Sequence, residues 1–354
     1  LPGGSGEVRR TTYGDWAERV ARLAGGLREL GVGPGDRVAT FCWNHDRHLE
    51  VYFAAALMGA SYHTLNIRLG GDQLAYIVNH ARDKVLICDA ELAPAIGPVL
   101  GDLDTVEHLL VLDGSDGDRP ALGFGAEHGY EDLVERSAPM TDWPELDEHQ
   151  TAGICYTSAT TGNPKGVAYS HRALYLHSLM VGLVDAAAIC ERDVLLPIVP
   201  MFHVNAWGMP FAATWYGAGQ VYGGPAPTPA DYLRLIREEG VTVSAGVPTV
   251  WLGILQLLET DGGGRVTQFT SGRGDITGQD GRHLAELLHD QVDAALAKRL
   301  GLKVVGKFNL VDDASGKSVE VPTAAAPAAN TPSISLLPAA RRVPAKETSR
   351  GRWT

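Results

Sequence analysis

The sequence lacks the features of several specialised protein classes. No apolar run approaches the roughly 20 residues that a membrane-spanning helix needs, and no secretory signal peptide is recognisable. The chain has 30 Lys and Arg against 42 Asp and Glu, which gives a net charge of −12. This acidic balance argues against a protein that coats nucleic acid. We therefore expect no transmembrane segment and no nucleic-acid partner.

Cysteine is also scarce. The four cysteines, Cys42, Cys88, Cys155 and Cys190, are dispersed and form no C-x-x-C pair. Each lies among apolar residues, so we predict reduced core residues rather than disulfides or a metal site. Reduced cysteines are typical of the cytoplasm, which is the predicted location.

Apolar residues make up 45% of the 354 residues, enough for a sizeable core and two or three domains. From about residue 11 to residue 259, helix-like and strand-like segments alternate. "RVATFCW", "KVLICD" and "RDVLLPIVPMFH" predict strands, whereas "HLEVYFAAALMGA" and "PADYLRLIREEG" predict helices. This alternation predicts an α/β fold with two βαβ-rich lobes and a largely parallel sheet.

The composition changes near residue 260. We predict a first domain over residues 1–260 and a different segment over 261–322, with an amphipathic helix in "RHLAELLHDQVDAALAKRLG" and a hairpin around Asp313–Gly316. Residues 323–354 are rich in Ala, Pro and basic residues, which predicts a disordered tail.

The segment "YTSATTGNPKG", residues 156–166, is the most informative motif. Its flanks are β-prone, so we predict a strand–loop–strand unit, followed by Ser170 as the N-cap of a helix that begins near His171. A Walker A loop is excluded, because Lys165 follows Gly162 by three residues with Pro164 between them.

The loop nevertheless has the chemistry of a phosphate site. Hydroxyl groups, the backbone amides of a tight turn and one lysine can all donate to phosphate oxygens. The residues concerned are Thr157, Ser158, Thr160, Thr161, Gly162 and Lys165. The alternative on composition alone is a solvated hairpin loop with no ligand.

The motif resembles the phosphate loop of the adenylate-forming superfamily, the AMP-dependent synthetases and ligases, usually written Y-T-S-G-T-T-G-x-P-K-G. Only Ala159 departs from that pattern. "PMFHVNAWGMPFAATWYGAGQVY" and "GVPTVWLGIL" resemble later blocks of the same superfamily. The resemblance covers about residues 11–258 and is strongest to medium- and long-chain fatty-acid–CoA ligases.

The resemblance implies the N-terminal large-domain lobes of the acyl-adenylate-forming fold. A small C-terminal domain follows these lobes in the family, but its motifs are not found in this sequence, so we expect that domain to be absent. It also implies Mg²⁺ as a cofactor and ATP and coenzyme A as co-substrates. The implied substrate is a fatty acid. The acid attacks the ATP α-phosphorus, and the thiol of coenzyme A then displaces AMP.

The implied site residues fall into three groups. Lys165 and His203 have catalytic roles, and Thr157 lies near Mg²⁺. The ATP phosphates are held by Thr157, Ser158, Ala159, Thr160, Thr161, Gly162 and Lys165. The acyl pocket is lined by Trp207, Gly246, Val247 and Pro248. His203 and Trp207 could instead be ordinary core residues, and Asn205 is a candidate for orienting the His203 loop.

Two departures from the family pattern affect the expected activity. If position 159 needs a positive φ, the Cβ of Ala159 costs roughly 1–2 kcal/mol. In addition, residues 260–354 show none of the family's later adenine, ribose and hinge motifs. We therefore expect weak or absent ligase activity from this chain by itself. A non-catalytic binding module, a ligase of an aryl or sulfur-containing short acid, and homodimerisation remain open.

Overall fold

In the computed structural model, the described residues are 8–114, 117–157, 163–183, 186–260, 309–311 and 318–320. The chain divides into two compact units, Leu1–Val304 and Val305–Thr354. The first unit contains two sheets, and the described part of the second is a single strand pair. The amphipathic helix and the tail predicted from the sequence lie outside the described residues.

The larger sheet has seven strands in the order β5-β4-β3-β1-β2-β6-β7. Its strands are β1 Arg37–Phe41, β2 Ser61–Thr64, β3 Val85–Asp89, β4 His108–Leu112, β5 Glu127–Gly129, β6 Thr151–Tyr156 and β7 Gly166–Ser170. All neighbouring strands are parallel except β6 and β7. The prediction of a largely parallel sheet is therefore confirmed.

Helices pack on this sheet and connect its strands. They are α1 Tyr13–Glu29, α2 Asp46–Leu57, α3 Gly71–Ala81, α4 Ala93–Ile96, α5 Tyr130–Arg136 and α6 His171–Val181, with short 3₁₀ helices at Ala90–Leu92 and Gly97–Asp102. The first helix begins at Tyr13, because the Thr12 side chain accepts a hydrogen bond from the Asp15 amide as an N-cap. The predicted helix start after Ser170 is likewise confirmed, since its hydroxyl accepts from the Ala173 amide.

The smaller sheet has three parallel strands in the order β10-β8-β9. They are β8 Val194–Pro197, β9 Gly219–Gln220 and β10 Val243–Ala245, and the associated helices are α7 Met209–Tyr216, α8 Pro229–Glu238 and α9 Pro248–Thr260. Helix α8 has a complete capping box between Thr228 and Asp231.

Aromatic rings join the larger sheet and α2 to α7, the helix that precedes β9. Tyr52 of α2 stacks on Tyr62 of β2 with centroids 4.3 Å apart, and both lie within 6.0 Å of Phe211 in α7. The Tyr52 hydroxyl also donates to the Met201 carbonyl at 2.6 Å. The segment that follows β8 is therefore fixed against the larger sheet.

Some predicted boundaries are wrong. The strand predicted over "RDVLLPIVPMFH" ends at Pro197, because the amides of Ile198 and Val199 both donate to the Ala245 carbonyl and Pro200 has no amide hydrogen. Of the four cysteines predicted to lie in the core, three are buried, whereas Cys190 is only half-buried.

The second unit contributes β11 Asn309–Val311 and β12 Ser318–Glu320, which pair antiparallel. These two strands flank residues 313–316, where the sequence predicts a hairpin turn, and the turn itself lies outside the described residues. Within the described part of the chain, no helix has both the length and the apolar character needed to cross a bilayer.

Candidate active site

The candidate phosphate loop lies between the antiparallel strands β6 and β7. Tyr156 pairs with Gly166 at the end of the ladder. Beyond it, the Thr157 amide donates to the Lys165 carbonyl at 3.0 Å, and the Lys165 amide lies 3.4 Å from Thr157 Oγ1. These contacts close the neck of the loop and confirm the strand–loop–strand prediction. Both Thr157 and Lys165 are exposed.

Five loop residues beyond this neck lie outside the described residues. They are Ser158, Ala159, Thr160, Thr161 and Gly162. Their roles in phosphate binding, and the expected cost of a Cβ at position 159, therefore stay predictions.

Tyr156 anchors the strand end that carries the loop. Its hydroxyl lies 2.6 Å from His80 Nδ1, and its ring lies beside His63, with centroids 5.1 Å apart. Burial raises the pKa of Tyr156 to about 12, so the hydroxyl stays protonated and can donate to His80. The contact ties the base of the loop to α3.

His203 lies six residues beyond β8, in a turn where its amide donates to the Pro200 carbonyl at 3.0 Å. Its side chain is exposed. The alternative that His203 is a satisfied core histidine is therefore wrong, and the ring is accessible to a ligand.

The residues just before His203 are held by the larger sheet and its helices. Asn44 is the main contact: its Nδ2 donates to the carbonyls of Pro197 and Val199 at 2.9 Å each, and its Oδ1 accepts from the Met201 amide at 2.6 Å. Together with the Tyr52 hydroxyl, this side chain thus fixes the chain between β8 and His203. The sequence signal for this role was weak, because Asn44 lies in a short polar loop.

Trp207 lies in an unusual turn immediately after His203. Val204, Asn205, Ala206 and Trp207 all have positive φ, between 48° and 56°. The Trp207 side chain is half-buried and packs against the main core, so its burial fits both the predicted acyl-pocket role and the core alternative. The buried Asn205 side chain accepts a hydrogen bond from Cys155 Sγ at 3.2 Å.

Gly246, Val247 and Pro248 connect β10 to α9. Gly246 is buried, and a Cβ there would lie 3.0 Å from Ile198 Cγ2. Val247 is 45% exposed, and Pro248 is the first residue of α9. Because β8 and β10 are parallel neighbours, this connection and the His203 segment leave the same edge of the smaller sheet.

The structure therefore brings three predicted groups toward one another. Cys155 in β6 lies two residues before Thr157 and contacts Asn205, two residues after His203. The Ile198 amide, five residues before His203, donates to the carbonyl of Ala245, the residue before Gly246, at 3.0 Å. The neck of the phosphate loop, the His203 turn and the predicted acyl-pocket wall are thus linked by direct contacts.

Among the described residues, one group of three side chains has the composition of a metal site. Cys42, His45 and Asp89 are buried at the carboxyl ends of β1 and β3, where the strand order reverses. The His48 amide donates to His45 Nδ1 at 3.0 Å, so the proton is assigned to Nε2, which lies 2.9 Å from Asp89. A ring in that tautomer has no lone pair left for a metal ion. The cluster is therefore a structural hydrogen-bond network.

The fold is shared with solved adenylate-forming enzymes. The structure of a fatty acyl CoA synthetase from Mycobacterium tuberculosis superposes with a TM-score of 0.63 at 26% identity, over 75% of this chain and 49% of that one. The two sheets and the hairpin loop thus define the N-terminal lobes of an adenylate-forming fold.

Sequence comparison then identifies the family. The profile described as "AMP-binding enzyme" matches residues 4–297. A long-chain-fatty-acid–CoA ligase of Thermus thermophilus is 52% identical over 258 residues, and a medium-chain-fatty-acid–CoA ligase of Ectopseudomonas oleovorans is 43% identical over 251 residues. The chain belongs to the AMP-binding enzyme family.

The matches cover 73% and 71% of this chain, but 46% of each relative. The chain thus spans about half the length of the curated relatives it matches. The domain boundaries predicted at residues 260 and 322 stay predictions.

Proposed function

We propose that the chain binds ATP and a fatty acid and supports formation of an acyl-adenylate, followed by transfer of the acyl group to coenzyme A. The observation that carries the proposal is the β6–β7 hairpin: Thr157 and Lys165 lie at the neck of its loop, and Cys155 in β6 contacts the turn that follows His203. The names of the two sequence relatives support the substrate class, a medium- or long-chain fatty acid.

In the proposed first step, a carboxylate oxygen forms a bond to the ATP α-phosphorus, and the bond to pyrophosphate breaks. Negative charge develops on the phosphate oxygens, so nearby donors stabilise the transition state. The exposed ammonium of Lys165 would neutralise the departing phosphates, and the imidazole of His203 would donate to the reacting carboxylate or the α-phosphate. The thiol of coenzyme A then forms the thioester and releases AMP.

Thr157 is the candidate protein ligand for Mg²⁺. Its hydroxyl is exposed at the neck of the loop, and it keeps an oxygen lone pair besides the one facing the Lys165 amide. Mg²⁺ prefers oxygen ligands and is often bound by one or two protein groups together with substrate phosphates, so the residue fits. When bound, the ion would polarise the phosphate oxygens.

The acyl pocket belongs to the same proposal. Trp207, Gly246, Val247 and Pro248 would line it, because the turn and the β10–α9 connection leave one edge of the smaller sheet. The buried Gly246 allows the chain to lie close to the side chains of Ile198 and Trp251.

We further propose that this chain by itself turns over slowly or not at all, because residues 260–354 carry none of the later motifs that the family uses for adenine, ribose and thioester formation. The second candidate is then a non-catalytic module that binds phosphate ligands. A ligase of an aryl or sulfur-containing short acid stays a third possibility, distinguished by which carboxylate binds.

ATP binding in the presence of Mg²⁺, measured by isothermal titration calorimetry, tests the proposal. Lys165→Gln should weaken binding about tenfold, which corresponds to about 1.4 kcal/mol. Arg192→Gln is the control, since Arg192 is also an exposed cation but lies in the loop before β8. Absence of ATP binding by the unmodified chain would reject the proposal.

ATP–pyrophosphate exchange with a series of carboxylates separates the candidates. Exchange stimulated by fatty acids would establish the ligase chemistry and reject slow turnover, whereas ATP binding without exchange favours the binding module.

A cytoplasmic location and a homodimer complete the proposal. The unpaired state of the four cysteines supports a reducing compartment, and analytical ultracentrifugation would test the dimer.

A further inference from the structure

A left-handed turn of five residues carries Trp207, a residue predicted to line the acyl pocket. The φ angles of the turn run from 48° at Val204 to 67° at Gly208. Two hydrogen bonds close it, from the Ala206 amide to the His203 carbonyl at 3.2 Å and from the Gly208 amide to the Asn205 carbonyl at 2.9 Å. Left-handed backbone costs non-glycine residues roughly 1–2 kcal/mol each, so such a turn persists only where its surroundings impose it.

One contact that imposes the turn comes from α6. His177 Nε2 lies 2.8 Å from the Trp207 carbonyl oxygen. A carbonyl only accepts hydrogen bonds, so Nε2 is the donor. A Cβ on Gly208 would lie 2.5 Å from His177 Cδ2, and glycine is therefore what allows the imidazole to approach the backbone so closely.

A second contact comes from β6. Cys155 Sγ lies 3.2 Å from Asn205 Oδ1 and the same distance from Thr64 Oγ1. Both Cys155 and Asn205 are buried. The thiol thus links the side chain in the middle of the turn to the strand that leads into the phosphate loop.

These two contacts come from the two ends of the loop hairpin. Cys155 lies in β6, two residues before Thr157, and His177 lies in the helix that begins directly after β7 ends at Ser170. We infer that His177 is a positioning residue: its hydrogen bond to the Trp207 carbonyl, together with the Cys155–Asn205 contact, holds the left-handed turn in place relative to the phosphate loop. The consequence for acyl binding rests on the proposed function.

Neither His177 nor Cys155 needs to touch a substrate in this role. The hydrogen bond fixes the backbone of Trp207, and the backbone decides where the indole ring can lie. Without the donor, the turn would relax toward right-handed or extended backbone, and the indole would lose its fixed direction at the pocket.

Hydrogen–deuterium exchange on the full chain tests the positional role without any ligand. His177→Leu should speed exchange of the amides of residues 204–208 about five- to tenfold, the change expected when one hydrogen bond of about 1 kcal/mol is lost. His177→Gln, which places an amide donor near the position of Nε2, should restore slow exchange. His177→Phe keeps an aromatic ring without the donor and should behave like leucine.

The control region is β1, Arg37–Phe41, where exchange should be the same in all variants and shows that the fold is intact. His177 is exposed, so its replacement leaves the core unchanged. Equal exchange at residues 204–208 in the wild type and His177→Leu, or failure of His177→Gln to differ from His177→Leu, would overturn the inference.

Ligand titrations then separate this inference from the proposed function. With ATP and Mg²⁺ present, His177→Leu should weaken dodecanoate binding about fivefold while ATP affinity stays within about twofold, and His177→Gln should recover most of the loss. A wild-type chain that binds neither ligand rejects the proposed function, and the exchange comparison still tests His177. A wild type that binds both, with His177→Leu unchanged in dodecanoate affinity, rejects the role of His177 alone.

Discussion

Replacing Val204 by glycine should stabilise the protein, although glycine normally destabilises. Val204 has a φ of 48°, and its side chain is 39% exposed. Removing the Cβ relieves roughly 1–2 kcal/mol of left-handed backbone cost. The greater freedom of glycine in the unfolded chain removes roughly 0.5–1 kcal/mol. Because the side chain is partly exposed, little burial is lost, and the expected gain in unfolding free energy is about 0.5–1 kcal/mol.

Val167 provides a matched control. It is 41% exposed and lies in the edge strand β7, where glycine gains nothing from the backbone. Val167→Gly should therefore lose about 1 kcal/mol through unfolded-state freedom and strand propensity. Urea unfolding at neutral pH should separate the two variants by roughly 2 kcal/mol. If Val204→Gly loses as much stability as Val167→Gly, the left-handed turn does not exist in solution.

Two further changes probe the packing and the charges of the larger sheet. A Cβ at Gly153 would lie 2.0 Å from the ring of Tyr62, so Gly153→Ala should cost about 2–3 kcal/mol or more in a urea melt, whereas Gly33→Ala, with open space around it, should change little. For Asp89, burial is the largest single influence and raises the carboxyl pKa, but the interactions with His45, the Trp43 amide and His48 together outweigh it, and the pKa is lowered. Its stabilising contribution is thus present above the ordinary value of 3.8 and lost as the pH falls through the lowered folded pKa. Asp89→Asn should reduce the unfolding free energy at pH 7 by about 1–3 kcal/mol and flatten its decline below pH 4. An unchanged acid profile in Asp89→Asn would show that this carboxylate does not contribute.

The phosphate-loop hairpin and most helices were predictable because their signals are local. The β-prone flanks of the loop pair as expected, and Ser170 forms the cap that its position suggests. Local propensity sufficed where each segment's own residues favour the conformation that the fold requires.

The elements that were missed depend on contacts distant in sequence. Strand β2 is four residues long and contains His63, which is fully buried only because Asp83 pairs with it at 2.7 Å. Strand β5 is three residues long and reads as part of a polar connector. The left-handed turn at Val204 contradicts the preference of valine, and it depends on His177 and Cys155, which are distant in the sequence. Nothing within these segments signals such partners.

Asn44 shows how the candidate site depends on a residue outside every motif. In the wild type, the carbonyls of Pro197 and Val199 accept hydrogen bonds from Asn44 Nδ2 at 2.9 Å each. Asn44→Asp keeps the acceptor for the Met201 amide but places a carboxylate oxygen against these two carbonyls. The loss should be about 2–4 kcal/mol in urea unfolding at pH 7, at least as large as for Asn44→Ala, because two donors are replaced by a repulsive charge.

Asn66→Asp is the matched control for Asn44→Asp. Asn66 Oδ1 only accepts a hydrogen bond, from the Arg68 amide at 3.0 Å, so a carboxylate there should change stability by less than about 0.5 kcal/mol. Equal stability of Asn44→Asp and the wild type would mean that the segment before His203 is held by other contacts. If instead Asn44→Asp is destabilised and also binds ATP more weakly than Asn66→Asp at a temperature where both are folded, the position of His203 depends on this amide.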